Sequence, residues 1–214
     1  MSPILTSIVT ALGGVLAGLA AAGMILWRQQ QSLNRWQHLA HHDDTTGMPN
    51  RRALLAALRR ALRNGDHVGL IVLDLDGFKT INDTYGHEDG NHVLAAVGRR
   101  LTALTHPVRL AARLSGDEYA LLVTGTNTEH VAYAANTAWQ AVGRDPIPVA
   151  DTYLKVSASV GHVTAGTGAT PADLLRAADM AMYEAKQTGT GIHAATTHSP
   201  RLPRHTRYRD LPRT

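Results

Sequence analysis

Cysteine is absent from this chain of 214 residues. That excludes disulfides and thiolate metal sites. Lysine is nearly absent: Lys79, Lys155 and Lys186 stand against 18 arginines, so each lysine is worth inspecting for a particular role. A charge excess is missing from the first 200 residues. Arg201, Arg204, Arg207, Arg209 and Arg213 outweigh Asp210 and supply the whole formal net charge of +4. The basic character of the chain therefore gives no sign of nucleic-acid binding by its folded part. No long internal repeat is present, and the length suits one domain of ordinary size plus appendages.

Charge is also missing from residues 1–27, where Ile4 to Trp27 form an apolar run rich in Leu, Ile, Val, Ala and Gly. A helix of that length crosses a bilayer core of ~30 Å. The rival is a signal peptide cleaved near Ala20-Ala21-Ala22. Against it stand the missing basic n-region and the length of the apolar run. Arg28 and Arg35 follow the span, which places the C-terminal side in the cytoplasm and Trp27 at the interface. The expectation is a single-pass anchor in the cell membrane at 1–27. Gly14, Gly18 and Ala22 recur at four-residue intervals, a face on which two such helices can pack; chance in an Ala/Gly-rich run is the competing account. Residues 28–42 read as a polar helical linker, too short for a separate sensor domain. His38, His41 and His42 with Asp43 and Asp44 have the composition of a metal site, but more often such a run is a solvated linker.

The domain is expected at 43–195. Asp43 to Asn50 is turn chemistry leading into a helix, with Asn50 as N-cap and Leu54, Leu55, Leu58 and Leu62 at helical spacing. Val68 to Asp74 is almost wholly apolar, as in a central strand buried on both faces. Helical patterning follows through Phe78, Ile81 and Asn82. A turn comes at Tyr85-Gly86-His87, then a helix carrying Val93, Leu94, Val97 and Leu101. Val108 to Leu114 and Tyr119 to Val123 read as a hairpin around Gly116-Asp117. Thr128 to Val142 looks helical, Tyr153 to Val163 alternates as one strand, and Thr170-Pro171-Ala172-Asp173 starts a helix that stops near Gly189. Residues 196–214 are Pro/Arg-rich and read as a disordered tail. The order predicts an α/β (α+β) fold, a ferredoxin-like palm with helices on one face of a mixed sheet.

Carboxylates cluster at two points of this scheme. Asp74 ends the buried strand, and Asp117 and Glu118 sit at the tip of an otherwise apolar hairpin. If the strands are neighbours, the acids converge on one edge. Magnesium takes hard oxygen ligands, usually one or two carboxylates plus waters and substrate phosphates, and the Leu75 carbonyl adds an oxygen. Such a site suits phosphoryl transfer from a nucleoside triphosphate. Lys79 and Lys186 suit phosphate as point charges. Taken singly, each acid has an equally ordinary reading as a cap or turn residue; the case rests on their occurring together.

Three segments carry a family resemblance. Asp74 to His87 (DLDGFKTINDTYGH), Ser115 to Tyr119 (SGDEY) and Ala178 to Lys186 (ADMAMYEAK) resemble the GGDEF domain of bacterial diguanylate cyclases. The likeness covers roughly residues 43–193 in the family's order, which is more specific than one short motif. It implies a palm-like fold and a cytoplasmic homodimer. It also implies condensation of two GTP into cyclic di-GMP with release of pyrophosphate, using magnesium or manganese. Carried over by position, Asp74, the Leu75 carbonyl and Asp117 would hold the metal. Glu118 would be a further ligand or the base that helps the 3′-hydroxyl attack. Gly116 would let phosphate approach the backbone, Lys186 and Lys79 would contact phosphates, and Asn82 would read the guanine edge.

The chain departs from the family pattern at five places. Ser115 replaces the first glycine of the signature, and Tyr119 replaces the phenylalanine. Asn91 stands where the family usually has Asp, exchanging a double acceptor for one acceptor and one donor at the base-reading position. Thr190 stands where an Arg is common. His106-Pro107-Val108-Arg109 stands where the Arg-x-x-Asp product-inhibition motif would be, so feedback through that site is not expected. The alternatives to a GTP-specific cyclase are a degenerate nucleotide-binding or regulatory module without catalysis, and a cyclase with relaxed base selection.

Overall fold

The computed structural model describes residues 22–29, 40–125 and 127–195. The chain divides into two compact units, Met1–Ala40 and His41–Thr214. In the first, residues 22–29 are helical and exposed. Among the described residues no helix is long and apolar enough to cross a membrane. Most of the expected anchor, most of the linker and all of the tail lie outside the described residues.

The second unit begins with a tight turn tied into the domain. Asn50 caps α1 (Arg51–Arg63), its Oδ1 accepting from the Arg52 and Ala53 amides at 3.0 and 3.2 Å. Leu54, Leu58 and Ala61 face inward, as the leucine spacing predicts. β1 (Val68–Leu75) is buried along its length except at Asp74, which is half-buried. α2 (Phe78–Thr102) is two helical pieces joined at Gly86, whose φ of 87° and ψ of 166° interrupt it at the expected turn. Such a backbone is open to glycine and strained for other residues. β2 (Val108–Ser115) and β3 (Glu118–Thr124) form the hairpin, followed by α3 (Thr128–Gly143). β4 (Ile147–Val149) and β5 (Thr152–Leu154) make a separate small ribbon. β6 (Ala158–Thr164), α4 (Pro171–Thr188) and β7 (Ile192–Ala194) complete the unit. α4 starts with the full capping box of Thr170 and Asp173, with Pro171 at its first position.

The main sheet runs β2-β3-β1-β6-β7, antiparallel except for β6 with β7. Its first four strands with α2 and α3 are the βαββαβ unit expected of a ferredoxin-like palm. Two expectations are corrected and one element is added. Helices cover both faces of the sheet, not one. Ile71, Leu73, Tyr119 and Leu121 pack with α2 and α3, whereas Leu70, Val72, Ala120 and Leu122 pack with α1 and α4. The near-continuous apolar run of β1 requires this, since both of its faces must be covered. Tyr153 to Val163 is two strands in different sheets rather than one. The chain leaves the ribbon before Val156 enters the core, and the Asp76 amide donates to the Ser157 carbonyl at 3.0 Å. Finally, β7 adds a short parallel edge that three residues of sequence did not announce.

α4 lies hard against the sheet. A Cβ at Gly161 of β6 would fall 2.1 Å from the Ala178 carbonyl oxygen and 2.2 Å from the Met182 amide nitrogen. Gly161 therefore lets the helix backbone reach the strand, and Lys186, one turn beyond Met182, arrives at the same end of the sheet as Asp74.

Candidate active site

The hairpin and β1 pair in a register that places Asp74 directly opposite Glu118. Glu118 pairs in turn with Ser115 across the hairpin, and Asp74 with Ser159 on the other side. Directly paired residues share a face. Ser115, Glu118, Asp74 and Ser159 thus form one polar row across four strands, on the α1/α4 face where the apolar core ends. Gly116 and Asp117 alone occupy the turn. Gly116 has φ 52°, the positive value this turn demands of its first residue. The Leu75 amide donates to the Asp117 carbonyl at 3.2 Å, tying the turn to the end of β1. Glu118 is the first residue of β3 rather than a tip residue, and it is buried.

Lys186 forms an ion pair with Asp74 Oδ1. Burial raises the Asp74 carboxyl above the ordinary carboxylate value. The Lys186 hydrogen bond works against this, and the negative charges of Asp117 and Asp76 work with it. A cation beside Asp74 and Asp117 would relieve both burial and repulsion. Among the described residues no three His, Asp or Glu side chains gather closely enough to cage a metal by themselves. Magnesium does not need that, because it binds through one or two carboxylates and completes its shell with water and phosphate oxygens. Oxygen donors drawn from Asp74, Asp117, Glu118 and the Leu75 carbonyl, without all three carboxylates at once, fit it.

The other expected residues are distributed as follows. Asp76, next in the acidic run, is held by Ser157 and Ser159 hydroxyls at 2.8 Å each, clasping β1 to β6. Lys79 is exposed in the first turn of α2. That helix opens at Gly77, which has no side chain to cap it. Asn82 folds back across the Gly86 break. A Cβ at Gly90 would meet Asn82 Oδ1 at 1.9 Å, so Asn82 covers Gly90, the neighbour of exposed Asn91. Thr190 Oγ1 lies 3.0 Å from Thr188 Oγ1 past the end of α4.

Sequence reasoning missed Arg113. Its Nη1 meets Asp43 Oδ1 at 2.7 Å, and its Nε donates to the Gly116 carbonyl at 2.9 Å. One buried guanidinium thus joins the opening turn to the β2–β3 hairpin. Charge within an otherwise apolar strand, which holds Arg109 and Arg113, was the available signal. The Asp43 carboxylate also takes the Thr46 amide and hydroxyl, so it belongs to the turn and not to a metal site with His41 and His42. Tyr119, the other signature departure, is fully buried and donates its hydroxyl to the Leu94 carbonyl at 2.9 Å.

Comparison with known proteins identifies the family. Residues 40–191 match the family model described as "Diguanylate cyclase, GGDEF domain". The chain belongs to that family. It is 35% identical over 167 residues to the response regulator PleD of Caulobacter vibrioides, an alignment covering 75% of this chain and 37% of PleD. It is 36% identical over 176 residues to the diguanylate cyclase TpbB of Pseudomonas aeruginosa, covering 77% of this chain and 40% of TpbB. The chain thus spans less than half the length of either. Among solved structures, the coiled coil and GGDEF domain of DgcB from Caulobacter crescentus, in complex with c-di-GMP, superposes with a TM-score of 0.75 at 27% identity. That match covers 85% of this chain and 99% of the other.

Proposed function

We propose that this protein is a diguanylate cyclase that condenses two GTP into cyclic di-GMP and releases pyrophosphate. The observation that carries the reading is the Asp74–Glu118 pair, set in register beside the Gly116-Asp117 turn in a domain of this family. Asp74, the Leu75 carbonyl, Asp117 and Glu118 would hold magnesium or manganese. The bound ion would offset triphosphate charge and polarise the phosphorus under attack. Glu118 either completes that ligand set or accepts the proton of the 3′-hydroxyl. Gly116 admits phosphate close to the backbone. Lys79, at the start of α2, and Lys186, leaving Asp74 as the ion arrives, meet phosphate oxygens. Asn82 and Asn91 face the base. Each protomer holds one GTP, so the working unit is a homodimer with the two sites facing. The apolar N-terminal run anchors it in the cell membrane with the domain in the cytoplasm.

The test is the purified full chain in detergent, given GTP and magnesium, with products resolved by mass. Cyclic di-GMP is expected. Asp117→Ala should lower its formation about a hundredfold or more with an unchanged circular dichroism spectrum, since a turn position buries little. Wild-type turnover by that variant would remove Asp117 from the site. Asn91 and Thr190 favour a second reading, a regulatory module that binds nucleotide without catalysis. GTP binding with no product from the wild type would select it.

A further inference from the structure

Ser115 stands where the family signature has glycine, and the cyclase reading gives it no task, whereas Ser159 at the other end of the row is engaged with Asp76. Its Oγ donates to Glu118 Oε2 at 3.0 Å. The register shift between Arg113 and Ser115 brings Ser115 opposite Glu118 at the closing pair of the hairpin, so both side chains rise on the Asp74 face. Ser115 is exposed whereas Glu118 is 8% exposed, so the hydroxyl meets the carboxylate from the solvent side.

We propose that Ser115 is a positioning residue that holds the Glu118 carboxylate in its ligand orientation before the divalent cation arrives. The inference rests on the cyclase reading and deepens it. A carboxylate carries about four lone-pair sites, so the bond from Ser115 does not by itself exclude a cation from it. A ligand whose rotamer is already held loses less freedom on binding, which is why partners of metal ligands affect affinity. Glycine at this position has no such donor; serine adds one without altering the turn, because the positive φ falls at Gly116 and not at Ser115.

The test is manganese binding by the full chain in detergent with a non-hydrolysable GTP analogue, counting free Mn2+ by its electron paramagnetic resonance signal. Ser115→Ala and Ser115→Gly are expected to raise the Mn2+ dissociation constant by about tenfold. Ser115→Thr, which keeps the hydroxyl, should stay within about twofold of the wild type. Equal binding by wild type, Ser115→Ala and Ser115→Gly would overturn the role of Ser115 and leave the cyclase reading standing. Equal weakening by all three substitutions would also overturn it, since the hydroxyl would then be irrelevant. A wild-type chain that takes up no Mn2+ beside the analogue would sink the metal-site reading and this inference together.

Discussion

Asn91 follows Gly90, which lies under the Asn82 amide. Under the cyclase reading these two amides meet the base from either side of the Gly86 break. Guanine presents N1–H and N2–H donors, which an aspartate accepts together and an asparagine cannot. Adenine presents an N1 acceptor, which repels a carboxylate but accepts from an amide. A hydrogen bond to a charged group contributes ~1.5–3 kcal/mol, so Asn91→Asp should raise discrimination for GTP over ATP by roughly tenfold. Competition between equal GTP and ATP, with di-guanylate, di-adenylate and mixed cyclic products separated by mass, measures it. Identical product ratios and GTP Michaelis constants for the two proteins would show that Asn91 takes no part in base selection. The same scale explains Tyr119. Burial pushes its phenol well above the ordinary value, and the Leu94 carbonyl satisfies the hydroxyl that phenylalanine would lack.

Between elements, the Asp43–Arg113 pair is the clearest structural contact outside the core. It joins the turn before α1 to β2, and the Arg113 amide adds a bond to the Pro49 carbonyl at 2.9 Å. Burial acts to raise the Asp43 carboxyl, but the hydrogen bonds from Thr46 and Arg113 prevail and hold it below the ordinary 3.8. A depressed carboxyl stabilises the fold fully above its unfolded value and loses that contribution as pH falls toward the folded one. Asp43→Asn should therefore cost about 1–2 kcal/mol at pH 7. The difference should hold down to about pH 5 and close below the ordinary carboxylate value. Urea unfolding of both proteins from pH 7 to 3 tests this, because carboxylates common to both cancel in the difference. A gap that is flat across the whole range would mean that the charge of Asp43 contributes nothing.

At the scale of the molecule, one protomer contributes one set of carboxylates and, under the cyclase reading, one pair of amides for the base. The cyclase reading needs two such sets to meet, so specific activity should rise with protein concentration until dimers saturate. An anchored chain should show a weaker dependence in lipid vesicles than in dilute detergent, because confinement raises the local concentration. A dilution series with light scattering at each point measures it. Constant specific activity from a species that scatters as a monomer would contradict the shared-site mechanism.

Several features follow from sequence because their causes are local. Asn50 and Thr170 cap helices by bonding amides two or three residues away. Gly116 makes the turn, and Gly86 breaks α2 by its own backbone freedom. Apolar spacing marks α1 and β1, and the three motif segments carried the family. What required the tertiary structure was long-range. The pairing of Lys186 with Asp74 spans 112 positions, and that of Arg113 with Asp43 spans 70. β7 is a strand only because β6 lies beside it. The second helical layer exists because α1 and α4, far apart in the chain, both close over the same face of β1. The Ser115–Glu118–Asp74–Ser159 row depends on registers across four strands, and side-chain alternation within any one strand leaves its partners undetermined.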